Sequence, residues 1–373
     1  MCAEGNCGDA RVRRLAAVCF WTSAAGAGWV LAGYPAWLAG RPARRSRAAD
    51  IEPTVSIIVP TYREFETMPI KVRALAQLQY PADRLQVIVG VDGDPRLVDL
   101  AQAAAPDAQV VLLAQRSGKA AAINAALGEA NGEILVLTDA NNVLAPESVS
   151  AAVRHFADPE VWAVAGQREE SGSAYDRYED LLRRLESRSG SVAAISGDFI
   201  AVRRSRMPEL PTGVVNEDLW LLLTLVRAGG RVTYESRASS MEPALDTSAE
   251  VSRRSRIGAG RLLLASELRG LPPAFAGRVL SHKYGRLALP FLMLGALGSS
   301  LALRSARPYR LAAGAQLGVY GVAGLAIVGV EPPGRAGLVS RVARQFVVGN
   351  VAVAVGVVRG LRGRQDAHWK AVR

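Results

Sequence analysis

Residues 15–40 carry no charged side chain, and three further apolar runs lie late in the chain, at about 287–303, 311–330 and 346–358. A bilayer crossing needs about 20 mostly apolar residues. Inside lipid each backbone polar group must find its partner within the segment, so these stretches are read as helices. The last run is short, and either lies at the interface or begins earlier, near Val342. Arg11, Arg13 and Arg14 ahead of the first run resemble the basic start of a signal peptide. Its length and the lack of a small-residue cleavage pattern favour an uncleaved anchor. The chain is therefore expected to divide into an N-terminal anchor (1–50), a central domain (51–270) and a C-terminal membrane region (271–373) with spans at about 287–303, 311–330 and 342–358.

Arg41, Arg44, Arg45 and Arg47 outnumber the arginines before the first span. The positive-inside rule then places the central domain in the cytoplasm of a multi-pass cell-membrane protein. Four spans would put the C-terminus outside, which conflicts with the basic tail at 359–373, and the sequence leaves that conflict open. The mean hydropathy of +0.13 fits a lipid-facing fraction, and arginines flanking the spans account for the net charge of +11. A nucleic-acid partner is not expected, because no element interleaves basic and aromatic residues. Cys2, Cys7 and Cys19 are the only cysteines. They support neither a disulfide framework nor a zinc motif. His155, His282 and His368 lack ligand spacing and are expected at surfaces or interfaces.

Between the anchors, residues 55–59, 85–91, 110–113 and 134–137 are continuous β-branched runs, as in strands buried on both faces of a parallel sheet. Helical patterns at 70–79 and 119–130 separate them. In such a βαβ order ligands gather outside the carboxyl ends of the strands. Thr61 to Glu64, Asp92 and Asp139 fall at those ends.

Each polar residue has a bland reading beside a chemical one. Arg116, Gly118 and Lys119 open a helix whose free N–H groups and lysine suit phosphate oxygens, or are simply a solvated helix start. Asp139 ends a buried strand, where an uncompensated carboxylate is unfavourable and a divalent cation would relieve it. Asn141, two positions on, offers a neutral oxygen; Mg²⁺ or Mn²⁺ suits such a set. Otherwise Asp139 and Asn141 only shape a turn. Glu217 and Asp218 head an apolar helix, a favourable place for acids whatever their role. Arg253 and Arg256 share a helix face and can clamp a diphosphate. Residues 175–189 form a charged amphipathic helix.

The ordered set VSIIVPTYRE, VDGD, RSGKAAAIN, LTDANN, SGDFIAVRR, NEDLWL and RRSRIGAG resembles the family 2 inverting glycosyltransferases, including the membrane-embedded cellulose, chitin and hyaluronan synthases. The resemblance covers roughly residues 54–264. It implies an α/β GT-A fold, Rossmann-like with a mostly parallel sheet, flanked by transmembrane helices. It further implies that Thr61, Tyr62, Glu64 and Asp92 hold a uridine. Asp218 would be the catalytic base with Glu217 beside it, Gly197 and Asp198 would line the acceptor pocket, and Trp220 would stack on the acceptor or belong to the core. The expected activity is metal-dependent transfer from a UDP-sugar to a glycan or lipid-linked acceptor, forming a β-glycosidic bond in polysaccharide or cell-envelope glycan synthesis. The bilayer is an expected partner, with room for an export partner or a homo-oligomer. Asn141 replaces the family's usual second aspartate, and Ile257 its usual tryptophan. These departures put processive extension in doubt and motivate an alternative, a catalytically impaired UDP-sugar-binding or assembly subunit.

Overall fold

The computed structural model describes residues 4–44, 47–169, 174–242 and 247–362. Arg45, His368 and most of the basic tail lie outside the described residues. Two compact units are present. One comprises Leu38–Ala249 with Gly260–Arg278; the other gathers the chain up to Trp37, Glu250–Ala259 and residues from Val279 onward.

The first unit is built on one eight-stranded sheet, ordered β3-β2-β1-β4-β7-β6-β8-β5. The strands are β1 (Val55–Thr61), β2 (Leu85–Val91), β3 (Gln109–Leu112), β4 (Ile134–Leu137), β5 (Val143–Leu144), β6 (Val161–Glu169), β7 (Ile200–Arg203) and β8 (Arg231–Met241). β1 pairs in parallel with β2 and β4, with Val55 opposite both Leu85 and Ile134. In this register β1 and β2 end together, with Thr61 opposite Val91, while β4 stops at Leu137 opposite Ile58; Tyr62, Asp92 and Asp139 each follow the carboxyl end of one of these strands. Ile57, Ile58 and Val59 are wholly buried on both faces of the sheet. The Thr67–Leu75 helix covers one face through Met68, Lys71, Val72 and Leu75, a spacing of three, four and seven that defines one helical stripe.

The expected helices at 70–79 and 119–130 are found at Thr67–Leu75 and Lys119–Gly128. The sheet is mixed but, as expected, mostly parallel: six of its eight strands run in one direction, and only β7 and β5 run against them. β7 runs antiparallel between β4 and β6, β6 and β8 pair in parallel, and β5 closes the edge antiparallel to β8. The second half escaped the sequence reading because β6 is rich in small residues and β8 is punctuated by polar ones, so neither presents a continuous β-branched run. Register shifts within the β6–β8 pair, at Val161/Ala163 and Gly166/Gln167, further blur its period.

The second unit holds most of each of the four candidate membrane-spanning helices, Ala10–Ala39, Pro273–Ala302, Arg307–Ile327 and Gly334–Leu361. Each helix begins before its apolar run, the first at Ala10 rather than 15 and the third at Arg307 rather than 311. The second begins at Pro273 rather than 287 and the fourth at Gly334 rather than 342, because helical backbone continues through cationic residues that end an apolar count. Within this unit, Ala10–Ala39 packs on the 285–302 segment through small residues. A Cβ on Gly295 would lie 2.7 Å from Ser23 Oγ, and one on Gly285 would lie 2.8 Å from Val30 Cγ2. Wide π-turns at Trp29–Gly33 and Leu280–Tyr284 sit at this contact, where Trp29 Nε1 donates to Ser281 Oγ at 3.1 Å. His282 is buried beside the Tyr34 ring rather than at a surface, and His155 is 3.0 Å from Glu235.

Gly166 marks the tightest point of the sheet. A Cβ there would be driven into the Ala238 carbonyl and the Phe199 side chain. Gly166→Ala is expected to destabilise by roughly 1–3 kcal/mol through overpacking. Denaturation in detergent checks this against Gly128→Ala, where an added methyl meets nothing within 4 Å; equal midpoints for the two variants would show that the strand yields.

Candidate functional site

The loop after β1 carries the first group of polar residues. Thr61 is fully buried, and its hydroxyl donates to Glu64 Oε2 at 3.1 Å. The Tyr62 N–H donates to the same carboxylate. Burial pushes the Glu64 carboxyl up to about 7, against these hydrogen bonds. Between them Arg63 adopts φ 62°, a left-handed conformation that non-glycine residues rarely hold outside constrained loops. The Tyr62 ring receives two guanidinium groups, Arg116 at 4.4 Å and Arg63 at 5.4 Å from its centre. An aromatic face bracketed by cations is suited to a planar base.

Asp92, at the end of β2, is wholly buried and serves a neighbouring loop. Its two carboxylate oxygens accept the backbone N–H groups of Ser117, at 2.6 Å, and Gly118, at 3.0 Å. Gly118 (φ 95°) caps the helix that begins at Lys119. Gly93 permits the approach: a Cβ there would lie 2.6 Å from the Arg116 amide nitrogen. Asp92 thus places Arg116 over Tyr62 and aims Lys119 inward.

Lys119 reaches the centre of the site. Its Nζ is 2.7 Å from Asp139 Oδ1 and 2.5 Å from Glu217 Oε1. Burial works to lower its pKa, but the two carboxylates more than reverse this and hold the ammonium charged. Burial raises the Asp139 carboxyl, Lys119 opposes that rise, and the negative charges of Asp198 and Glu217 add to it. A single pocket is lined by Lys119, Asp139, Gly197, Glu217 and Asp218, with Ile123, Ile200, Leu210 and Leu221 as its apolar wall. Asp139 and Asp218 therefore border one pocket, while Asp92 holds the loop that precedes Lys119.

The remaining candidates stand nearby or elsewhere. Gly197 is in the pocket, where a Cβ would lie 3.1 Å from Lys119 Nζ. Asp198 is buried behind it, accepting from the Ser196 hydroxyl and lying 3.5 Å from Arg168 Nε. Asn141 Nδ2 donates to Glu242 at 2.6 Å, and Glu242 is ion-paired with Arg168. Trp220 is half-buried on the Glu217–Arg227 helix and is not among the pocket-lining residues. Arg253 and Arg256 lie on the Thr247–Leu263 helix, in the stretch that groups with the membrane unit.

Three residues around the pocket went unread in the sequence: Lys71, Arg168 and Glu242. Lys71 carried a signal, since it falls in register with Met68, Val72 and Leu75 on an apolar stripe. Arg168 and Glu242 lie at the ends of strands that the run pattern did not disclose.

A mixed sheet that gathers acids and a lysine beyond the carboxyl ends of its parallel strands, in a chain that also carries four candidate spans, has the features of a GT-A-like transferase bearing membrane helices. Residues 56–207 match glycosyl transferase family 2, and the chain belongs to that family. An N-acetylglucosaminyltransferase of Rhizobium meliloti (strain 1021) is 27% identical over 270 residues, covering 64% of this chain and 63% of the relative. An N-acetylglucosaminyltransferase of Bradyrhizobium elkanii is 31% identical over 127 residues, covering 32% of this chain and 69% of the relative. The mannosyltransferase PcManGT from Pyrobaculum calidifontis, solved with GDP-Man and Mn²⁺, shares the fold with a TM-score of 0.74. Its identity is 24%, over 94% of this chain and 100% of that one.

Glu64 yields a pH signature. Its folded pKa of about 7 lies above the ordinary 4.5, so the folded state retains the proton longer. The stability this contributes is full below pH 4.5 and is lost as pH rises to about 7. Over that window the wild type should lose about 3 kcal/mol relative to Glu64→Gln. Melting midpoints measured from pH 4 to 8 check this; parallel curves for the two proteins would contradict it.

Proposed function

We propose that the chain moves a sugar from a UDP-sugar to a hydroxyl of a glycan or lipid-linked acceptor, with inversion at the anomeric carbon, at the cytoplasmic face of a membrane. The observation that carries this reading is the shared pocket of Lys119, Asp139, Gly197, Glu217 and Asp218. The names of the rhizobial relatives make UDP-N-acetylglucosamine the first donor to test.

Asp218 takes the proton of the acceptor hydroxyl as its oxygen attacks the anomeric carbon. The bond from that carbon to the diphosphate breaks, and UDP departs. One displacement inverts the centre, turning an α-linked donor into a β-glycoside. The Tyr62 face with Arg116 suits the uracil, and Lys119 meets the diphosphate with a retained positive charge. The apolar wall of Ile123, Leu137, Leu210 and Leu221 keeps water from competing with the acceptor.

No group of three His, Cys, Asp or Glu able to hold a metal ion occurs among the described residues. The oxygens present still fit a hard divalent cation, because Mg²⁺ is commonly held by one or two carboxylates plus substrate phosphates and water. Asp139 would be its carboxylate ligand. Asn141 would offer its oxygen, since its amide nitrogen is engaged by Glu242. When bound, Mg²⁺ or Mn²⁺ supplies charge neutralisation for the departing diphosphate. Lys119, already 2.7 Å from Asp139, shares that load.

Two outcomes follow. Asp218→Asn should lower donor- and acceptor-dependent UDP release in membranes by about 10²–10⁴-fold, the usual worth of a general base; wild-type rates in the variant would remove Asp218 from this role, whereas UDP binding with no release by the wild type would favour the non-catalytic alternative. Chelation with EDTA should abolish most UDP release, and added Mn²⁺ or Mg²⁺ should restore it. Full activity in EDTA would assign the whole neutralisation to protein cations.

A further inference from the structure

Beneath the pocket lies a buried cation that the transfer reaction does not touch. Lys71, on the Thr67–Leu75 helix, has no solvent exposure. Its Nζ donates to Thr138 Oγ1 at 2.7 Å and to Asn142 Oδ1 at 2.6 Å. Thr138 in turn donates to the Asp198 carbonyl at 2.6 Å, and Asn142 Nδ2 donates to the same carbonyl at 3.2 Å. One ammonium therefore ties the turn that carries Asp139 to the turn that carries Gly197 and Asp198. Both turns border the pocket, since Thr138, Asp139 and Gly197 line it.

A buried ammonium donating to a hydroxyl and an amide oxygen is poorly compensated, and an apolar side chain of similar length is often at least as stable in such a place. Burial lowers the Lys71 pKa to about 7, and the charges of Asp139 and Asp198 resist that fall. Without Lys71 the hydroxyl and amide can still satisfy one another, because Thr138 Oγ1 and Asn142 Oδ1 are 3.2 Å apart. The lysine is thus dispensable for closing the network, while its charge bears directly on the carboxylate that faces the donor.

We infer that Lys71 is a positioning residue of the donor pocket: its buried ammonium locks the Asp139 turn to the Gly197–Asp198 turn and readies Asp139 for a divalent cation and a diphosphate. This rests on the pocket reading given above. Outer residues that orient a metal ligand typically change metal affinity by 10–100-fold when removed.

The test measures UDP binding to the full chain in detergent, with Mn²⁺ and with EDTA, together with melting midpoints and the donor KM and kcat. Lys71→Met should weaken Mn²⁺-dependent UDP binding by about 10–100-fold. UDP binding in EDTA should stay nearly unchanged, the midpoint should hold or rise, and the loss in turnover should fall mainly on donor KM. Thr138→Val cuts the tie while leaving the ammonium in place, and should reproduce a part of the loss in Mn²⁺-dependent binding. It also carries the comparison should Lys71→Met fail to fold. Unchanged Mn²⁺-dependent affinity in both variants, or a loss equal in Mn²⁺ and EDTA with a lowered midpoint, would overturn the inference. Wild-type UDP binding that is indifferent to Mn²⁺ would instead remove the cation from the pocket reading, and the inference would fall with it.

Discussion

Charge compensation in a place with little water is the constraint around which the sheet unit is organised. Asp139, Glu217 and Asp218 are brought together by a strand end and a helix start, and like charges this close repel unless a cation stands between them. Lys119 supplies that cation, held within 2.7 Å of two of the acids. The rest of the local architecture serves this contact. Asp92 pins the loop before Lys119, the parallel register of β1, β2 and β4 sets the depth of the pocket, and the Glu217–Arg227 helix buries its leucines so that its first turn faces the strand ends.

The same logic extends outward. Glu242 lies beside Arg168 and accepts from Asn141, and Asp198 lies beside the same arginine. Acids at the edge of the pocket are thus matched by cations one layer out. At Asn141, Glu242 just beyond β8 accepts from the amide nitrogen and so fixes which end of the neutral amide points away.

Legibility in the sequence followed burial pattern. The first four strands were readable because each is a largely β-branched run, buried on both faces in β1 and β4 though only partly covered at the edge strand β3, and the acids that follow β1, β2 and β4 could be located from strand ends alone. β6 and β8 were not readable: small residues such as Ala163, Ala165 and Gly166 break up the β-branched run in β6, and polar residues break it up in β8. The pocket acids were legible as an ordered set, but the division of labour was not. Asp92 looked like a ligand contact and turns out to bond two backbone amides, which no side-chain pattern reports. Lys71 was hidden for the opposite reason, since a lysine in a helix is ordinarily taken as solvated, and only its register with Met68, Val72 and Leu75 betrays its position. Span lengths were underestimated where helices run on through arginines, because a charge ends an apolar count without ending a helix.

The double hydrogen bond from Asp92 to the Ser117 and Gly118 amides has a mechanical outcome. It rivets the Arg116 loop to the end of β2, and Gly93 lets the two backbones touch, so this side of the site has no hinge on which to swing. The Arg116 guanidinium is therefore presented to the Tyr62 ring from a backbone anchored at its base.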